Sequence, residues 1–356
     1  MKAYQICARL EFGDAVSNHV LEIDRALASW GFETTVYAST MDRFGMQVAR
    51  PDSEFDPGTA AACDLLIFHY SVYCANYRKY LAATCRRVLI YHNITPPEFF
   101  APYDKGVAEF CRLGRELLPE LSGCDLALAD SEYNRLELEA AGFRESATGV
   151  LPVFVDYQGL VSLPPSSPVM HAPPAGFNVV FVGRAVPNKR LEDVIRAFSC
   201  YHHCINSNSR LYLVGASWVD RYDDRLRWLV DASGLTERVH FTGRVSNQDL
   251  AWYYRSADLF LSMSRHEGFG VPLVECMAFG VPVLALKSSA VPFTLGGAGI
   301  VFSPVRYPEV AELMELVRTD AALRDRVVSG QQRRLEHFEP ESIRKQLQTC
   351  LEEVLR

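Results

Sequence analysis

Apolar and polar positions change period repeatedly along this chain, from short, nearly continuous apolar runs to helical spacing and back. In the first half, apolar runs fit strands near 3–8, 34–38, 64–69, 87–92, 125–129 and 147–150. Helical patterns lie between them, near 17–30, 104–121 and 132–142. The second half repeats the alternation. Residues 177–182 form an almost unbroken apolar run, as a strand buried on both faces requires. Leu191, Val194, Ile195 and Phe198 then recur at i, i+3, i+4 and i+7, one face of a helix. Further strands fit 210–214, 238–242, 258–263, 281–285 and 299–302. Strands alternating with helices in this way predict an α/β fold on parallel sheets.

A chain of 356 residues exceeds most single cores, and a prior of roughly 150 residues per domain suggests two. The stretch from Leu163 to Gly176 is rich in proline and reads as a stiff connector. The expected division is a first domain over 1–160, a linker over 161–176, a second domain over 177–338 and a terminal helix over 339–356. Open parallel sheets bind ligands at the C-terminal ends of their strands, so the chemistry is sought in the loops that follow them.

Composition narrows the class without naming a function. With 49% apolar and 22% charged residues, this is ordinary globular usage. No apolar stretch approaches the roughly 20 residues a membrane helix needs. The N-terminal residues lack the long apolar core of a signal peptide, which predicts a cytoplasmic protein. Ten cysteines without a Cys-x-x-Cys pair, and with Cys200 and Cys204 as an isolated i,i+4 pair, read as reduced, mostly buried thiols. Residues 1–155 hold 14 Lys and Arg against 21 Asp and Glu, and the remainder holds 22 of each. The net charge of −7 therefore sits in the first half and argues against a nucleic-acid binder. Arg78-Lys79 and Arg86-Arg87 read either as solvated helix ends or as peripheral contacts with anionic lipid.

The most informative segment is 264–285. Glu267 precedes a Gly268-Phe269-Gly270 turn, a helix opens around Val271 with Pro272 near its first position, and Glu275 follows one turn in. Glycines let backbone N–H groups crowd an anion, and a helix N-terminus adds partial positive charge. The two carboxylates only accept hydrogen bonds, so they suit hydroxyl-bearing groups on either side of that anion. The implied ligand is hydroxylated, anionic in the middle and hydroxylated again, which describes a nucleotide sugar.

This segment, with Glu267 and Glu275 separated by seven residues, resembles the signature of family-four retaining glycosyltransferases. The resemblance implies a GT-B fold, two Rossmann-like parallel-sheet domains facing across a cleft, with the terminal helix crossing back onto the first. It also implies that Glu267 and the backbone of Gly268, Phe269, Gly270 and Val271 meet the donor sugar and diphosphate, and that Glu275 holds the ribose. Gly183-Arg184 and Lys189 follow the strand ending at Val182, where charge-assisted hydrogen bonds would meet an anion. They are similar to the family's diphosphate-neutralising Arg and Lys. Arg190 is expected to face solvent. Val245, in the Phe241–Ser246 segment, is expected near the base. No Asp-x-Asp triplet is present, so a metal-independent reaction with no cofactor is expected.

In the first half, His92-Asn93 follows a strand and precedes Pro96-Pro97. It resembles the family's strand-end histidine near the donor sugar, which makes His92 a candidate catalytic residue beside Glu267. Tyr70, with His69, and Asn93 are candidates for acceptor contact. Gly13 stands where the family often has paired glycines, and Asp14 replaces the second, which weakens a diphosphate role for Gly13 and makes Asp14 a candidate for acceptor hydroxyls. Ser17 reads equally well as a helix N-cap. Phe293 stands where many relatives carry a Glu. The expected function is hexose transfer, of mannose or glucose type, from a nucleoside-diphosphate sugar to a glycan, lipid-linked glycan or small-molecule acceptor, at or near the inner face of the membrane. A catalytically silent nucleotide-sugar-binding partner and an epimerase on the same fold stay open at this point.

Overall fold

The computed structural model describes residues 1–58, 63–164 and 175–355. Most of the expected 161–176 linker, residues 165–174, lies outside the described residues. The chain divides into two compact units, Met1–Ala101, Lys105–Val155 and His337–Arg356 in the first, Pro102–Asp104 and Asp156–Glu336 in the second.

Unit 1 is built on seven parallel strands: β1 (Lys2–Leu10), β2 (Glu33–Met41), β3 (Arg50–Pro51), β4 (Leu65–Tyr70), β5 (Arg86–Tyr91), β6 (Leu126–Ala129) and β7 (Thr148–Val150). Their order is β3-β2-β1-β4-β5-β6-β7. The chain runs outward from β1 to β3 and returns at β4, so the order reverses between β1 and β4, the place where such sheets take ligands. All six residues of β4 are buried because helices cover both faces. The helix Pro340–Leu355 belongs to this unit. Its Ile343, Leu347 and Leu351 recur every four residues and pack with Ile23, Leu27, Val88 and Ile90 in the core.

Unit 2 has six parallel strands: β8 (Phe177–Val182), β9 (Ser209–Val214), β10 (Val239–Gly243), β11 (Leu259–Ser262), β12 (Val283–Leu286) and β13 (Ile300–Phe302). The order is β10-β9-β8-β11-β12-β13, again reversing at its first strand. The division between units falls at 155/156 rather than 160. Tyr157 and Leu160 of the helix Tyr157–Ser162 are buried, and Arg255 of unit 2 donates to the carbonyls of Val161 (2.8 Å) and Leu163 (2.7 Å).

The strand β3 and the helix Tyr77–Ala82, each too short to show a period, are among the elements the apolar pattern did not give. All ten cysteines are free, but only Cys7, Cys111, Cys124 and Cys276 are buried, so most are not sealed as expected. No described helix is long and apolar enough to cross a membrane.

Candidate functional site

In unit 2 the ends of β8, β9 and β10 close on one another through glycine. The Gly215 N–H donates to the Gly243 carbonyl (3.0 Å) and the Gly183 N–H to that of Val214 (2.9 Å). Gly215 has φ 142°, and a Cβ there would stand 2.1 Å from the Gly183 carbonyl oxygen. No other residue fits such an approach. A hollow opens beside these strand ends, lined by Phe181, Gly183, Gly215, Phe241 and Gly243.

The loop after β8 carries the two expected cations. Arg184 is exposed, its guanidinium 4.9 Å from the ring centre of Trp218. Asn188 is buried and ties this loop to the one after β11. Its amide donates to the His266 carbonyl (2.9 Å), and its own carbonyl accepts from the Arg265 N–H (2.9 Å). That clamp brings the Lys189 ammonium onto the Glu267 carboxylate in a close ion pair. Arg190 does not face solvent as expected. It adopts a left-handed conformation (φ 54°) and pairs with Glu192 and Asp193 at 2.8 Å each, because both carboxylates are buried and need a cation.

The Glu267 loop is held from behind. The Glu267 N–H donates to Ser289 Oγ (2.7 Å), and Thr294 Oγ1 donates to the carbonyl of Phe269, which is buried. Gly270, at φ 92°, turns the chain into the helix Val271–Ala278. Gly268 and Val271 are half-buried in the same turn. Glu275 sits one turn in, one oxygen accepting from the Tyr254 hydroxyl (2.6 Å). Burial pushes the Glu275 carboxyl up from its usual range, and the Tyr254 hydrogen bond opposes that. Val245 is half-buried in the short loop between β10 and the helix Asn247–Ser256, which Ser246 caps. At 293 the chain offers a partly exposed Phe and no carboxylate.

The unit 1 candidates stand differently. Gly13 is exposed with φ 72°. Asp14 is the N-cap of the helix Ala15–Ser29, accepting from the Ser17 N–H (3.0 Å) and hydroxyl (3.1 Å). Ser17 is therefore not the cap; it lies three residues inside, its hydroxyl accepting from the Glu11 N–H (2.9 Å). Tyr70 is fully buried and donates to the Gly114 carbonyl (2.6 Å), which corrects its expected acceptor contact: β4 has no exposed face. Asn93 is also buried, its amide N–H groups spent on Asn134 Oδ1 (2.9 Å) and Glu137 Oε2 (2.6 Å) rather than on an acceptor.

His92 is enclosed by polar partners. Its side chain is 1% exposed, Nδ1 lies 3.0 and 3.1 Å from the Asp130 carboxylate oxygens, and Nε2 lies 3.0 Å from His69 Nδ1. His69 Nε2 in turn meets Gln5 Oε1 at 2.9 Å. His19 packs edge-on to the His92 ring at 5.4 Å, its Nδ1 accepting from the Phe154 N–H (3.0 Å). Burial, with the neighbouring imidazoles, pushes His19 and His69 well below the usual histidine range. Both ring nitrogens of His92 are thus engaged inside unit 1. What the loop after β5 can offer a ligand directly is backbone.

Sequence reading missed Asp130, Asn134, Glu137 and Arg115 around this loop, and Asn188, Tyr254 and Trp218 in unit 2. Asp130 had a visible signal, a carboxylate ending a strand adjacent to the one His92 ends. The others meet their partners only through folding.

Residues 171–334 match the family described as glycosyl transferases group 1. Over 125 residues the chain is 29% identical to O-antigen chain mannosyltransferase B of Escherichia coli, covering 35% of this chain and 32% of that protein. Over 182 residues it is 30% identical to mannosylfructose-phosphate synthase of Agrobacterium fabrum, covering 49% and 40%. The chain thus spans well under half the length of these curated relatives. The crystal structure of HepE from Anabaena, in complex with UDP and glucose, superposes with a TM-score of 0.78 at 20% identity, covering 99% of this chain and all of that one. The chain has the GT-B fold, and its residues 171–334 are similar to the glycosyl transferases group 1.

Proposed function

We propose that this protein is a retaining, metal-independent glycosyltransferase that moves a hexose from a nucleoside-diphosphate sugar to an acceptor hydroxyl. The observation that carries the reading is the Lys189–Glu267 ion pair, held by Asn188 between two strand-end loops, with Gly270 opening a helix beside it and Glu275 fixed by Tyr254. A cation and a carboxylate that satisfy each other can be re-paired by a ligand, the cation by a diphosphate and the carboxylate by sugar hydroxyls.

In this reading Arg184 and Lys189 neutralise the diphosphate, whose charge grows as the glycosidic bond breaks. Preorganised charge aimed at such a leaving group is usually the largest catalytic contribution. Glu275 accepts from the ribose hydroxyls, Val245 borders the base, and Glu267 with the Gly268–Val271 backbone orients the sugar. The acceptor oxygen bonds to the anomeric carbon on the face from which the phosphate oxygen departs, and that departing oxygen takes the acceptor's proton. Configuration is retained without a covalent intermediate. Mannose is the favoured sugar, since relatives are named for mannosyl transfer, among them an O-antigen chain mannosyltransferase and a serotype-specific mannosyltransferase. Polysaccharide synthesis at the inner face of the membrane is the matching context.

The test is incubation with GDP-, UDP-, ADP- and TDP-sugars in excess EDTA, with the anomeric configuration of any product read by NMR. Transfer or slow donor hydrolysis with retention supports the reading. Nucleotide binding without turnover on any acceptor pool would favour the silent-partner reading, and donor conversion without acceptor an epimerase.

A further inference from the structure

Cys63 and Cys85 stand just before β4 and β5, neighbouring parallel strands in the middle of the unit 1 sheet. Leu65 pairs with Arg86 in register, and the Arg86 N–H donates to the Asp64 carbonyl (3.2 Å). The Asp64 carboxylate accepts from the Lys2 N–H (2.7 Å). Asp125 accepts from the Arg86 guanidinium (3.1 Å) and the Arg87 N–H (2.8 Å). This frame of strand starts brings the two sulfurs to 3.1 Å, although 22 residues separate them along the chain. A bond between them asks for an approach of about 1 Å by side chains already in contact.

Filling a core does not require such a contact. Cys7, Cys111, Cys124 and Cys276 are buried, as small apolar side chains are, whereas Cys63 and Cys85 are half-buried and open to small reagents. Cys74, also half-buried, meets the Ser39 hydroxyl (3.1 Å). With the Cys63 thiol as donor, the hydrogen bond between the pair lowers the Cys85 thiol from its usual range; burial opposes this and the nearby Arg87 assists it. The same hydrogen bond, with burial, raises Cys63. Cys85 is therefore the better nucleophile of the two, and Cys63 stands where a resolving thiol must.

We propose that Cys63 and Cys85 form a reversible modification site that closes to a disulfide by exchange with a low-molecular-weight disulfide of the oxidised-glutathione class. The Cys85 thiolate, its proton given to solvent, attacks one sulfur of the reagent. A Cys85 mixed disulfide forms and one reagent thiolate leaves. Cys63 then loses its proton and attacks the Cys85 sulfur, expelling the second reagent thiolate. The two cysteines together lose two electrons and two protons, and the reagent becomes two thiols. The new bond joins the starts of β4 and β5 and encloses β4 and the helix Tyr77–Ala82 in a covalent loop. Such closure restricts the unfolded chain more than the folded one, so the oxidised protein should be the more stable form.

The experiment incubates the reduced full chain with oxidised glutathione under native conditions. Remaining thiols are then alkylated, peptides mapped by mass spectrometry, and melting followed by circular dichroism. The expected result is a peptide cross-linked through Cys63 and Cys85, with two of the ten thiols protected. Melting temperature should rise by roughly 5 °C and return on treatment with dithiothreitol. In Cys63→Ser the reaction should stop at a glutathione adduct on Cys85. The wild-type result stands whether or not that variant folds. Both thiols still open to alkylation, separate glutathione adducts on each, or a cross-link that forms only in denaturant would overturn the proposal. A cross-link with no rise in melting temperature would overturn it as well, by showing that the bond strains the strand starts it joins.

Discussion

The polar residues after the strands of unit 2 and those after the strands of unit 1 are both paired, but in opposite senses. In unit 2, Lys189 meets Glu267 with side chains 19% and 13% exposed, and Arg184 lies open against Trp218. These partners can be exchanged for a ligand at little structural cost. In unit 1, His92 and Asp130 are 1% and 5% exposed, and each contact leads to another buried residue. Breaking them would strand polar groups without water. The unit 2 pair is open to exchange with a ligand, whereas the buried unit 1 cluster is spent on holding the loop after β5.

Perturbations should separate the two behaviours. The largest effect is expected from Lys189→Ala, a fall in kcat of roughly 10²–10³-fold, as for loss of one donor to a developing charge. Steady-state kinetics should find it, together with a lower melting temperature, since Lys189 is the cation paired with the mostly buried Glu267 carboxylate. Gly215→Ala should act mainly on stability. A methyl 2.1 Å from a backbone carbonyl, at φ 142°, forces the ends of β8 and β9 apart. About 3 kcal/mol of stability should be lost, read from denaturant unfolding.

The buried histidines sharpen the contrast through pH. His19 and His69 have folded-state values depressed below the unfolded value, so they stay neutral in the native state. Below about pH 6.5 the unfolded chain binds protons that the native chain refuses, and stability falls as pH drops. Each group contributes roughly 1.4 kcal/mol per pH unit below that point. Proton uptake on unfolding at pH 5.5, by calorimetry in buffers of different ionisation enthalpy, should fall by about one in His69→Gln. No change would mean that His69 is not held neutral. The smallest effect is expected at Trp218→Ala. Loss of the stacking on Arg184 should weaken donor affinity by about 0.5–1 kcal/mol, a few-fold in KM, with kcat kept.

Much of the fold was legible because a parallel strand covered on both faces leaves an apolar run that no loop imitates. Residues 177–182, 259–262 and 65–70 show it, and the alternation with helices then requires parallel sheets. The same logic explains the misreading of Tyr70: a polar tip at a strand end suggests a ligand contact, but β4 is central and its last residue stays inside. In unit 2 the candidate residues could be read from the sequence because they lie within short segments, Gly183–Lys189 and Glu267–Glu275. Arg190 was misread because its partners, Glu192 and Asp193, look like an exposed first helical turn until burial is known. In unit 1 the determining residues are His69, His92 and Asp130, 23 and 38 residues apart, and no local spacing links them. Such a cluster exists only once β4, β5 and β6 lie side by side.

The most direct test of the account is titration of wild type and Glu275→Ala with nucleoside diphosphates and their sugars in the presence of EDTA. The account predicts saturable binding of one nucleotide class without metal, weakened at least tenfold in Glu275→Ala while the fold is kept. Absence of binding by any of them to folded wild type, or equal affinity in the variant, would contradict it.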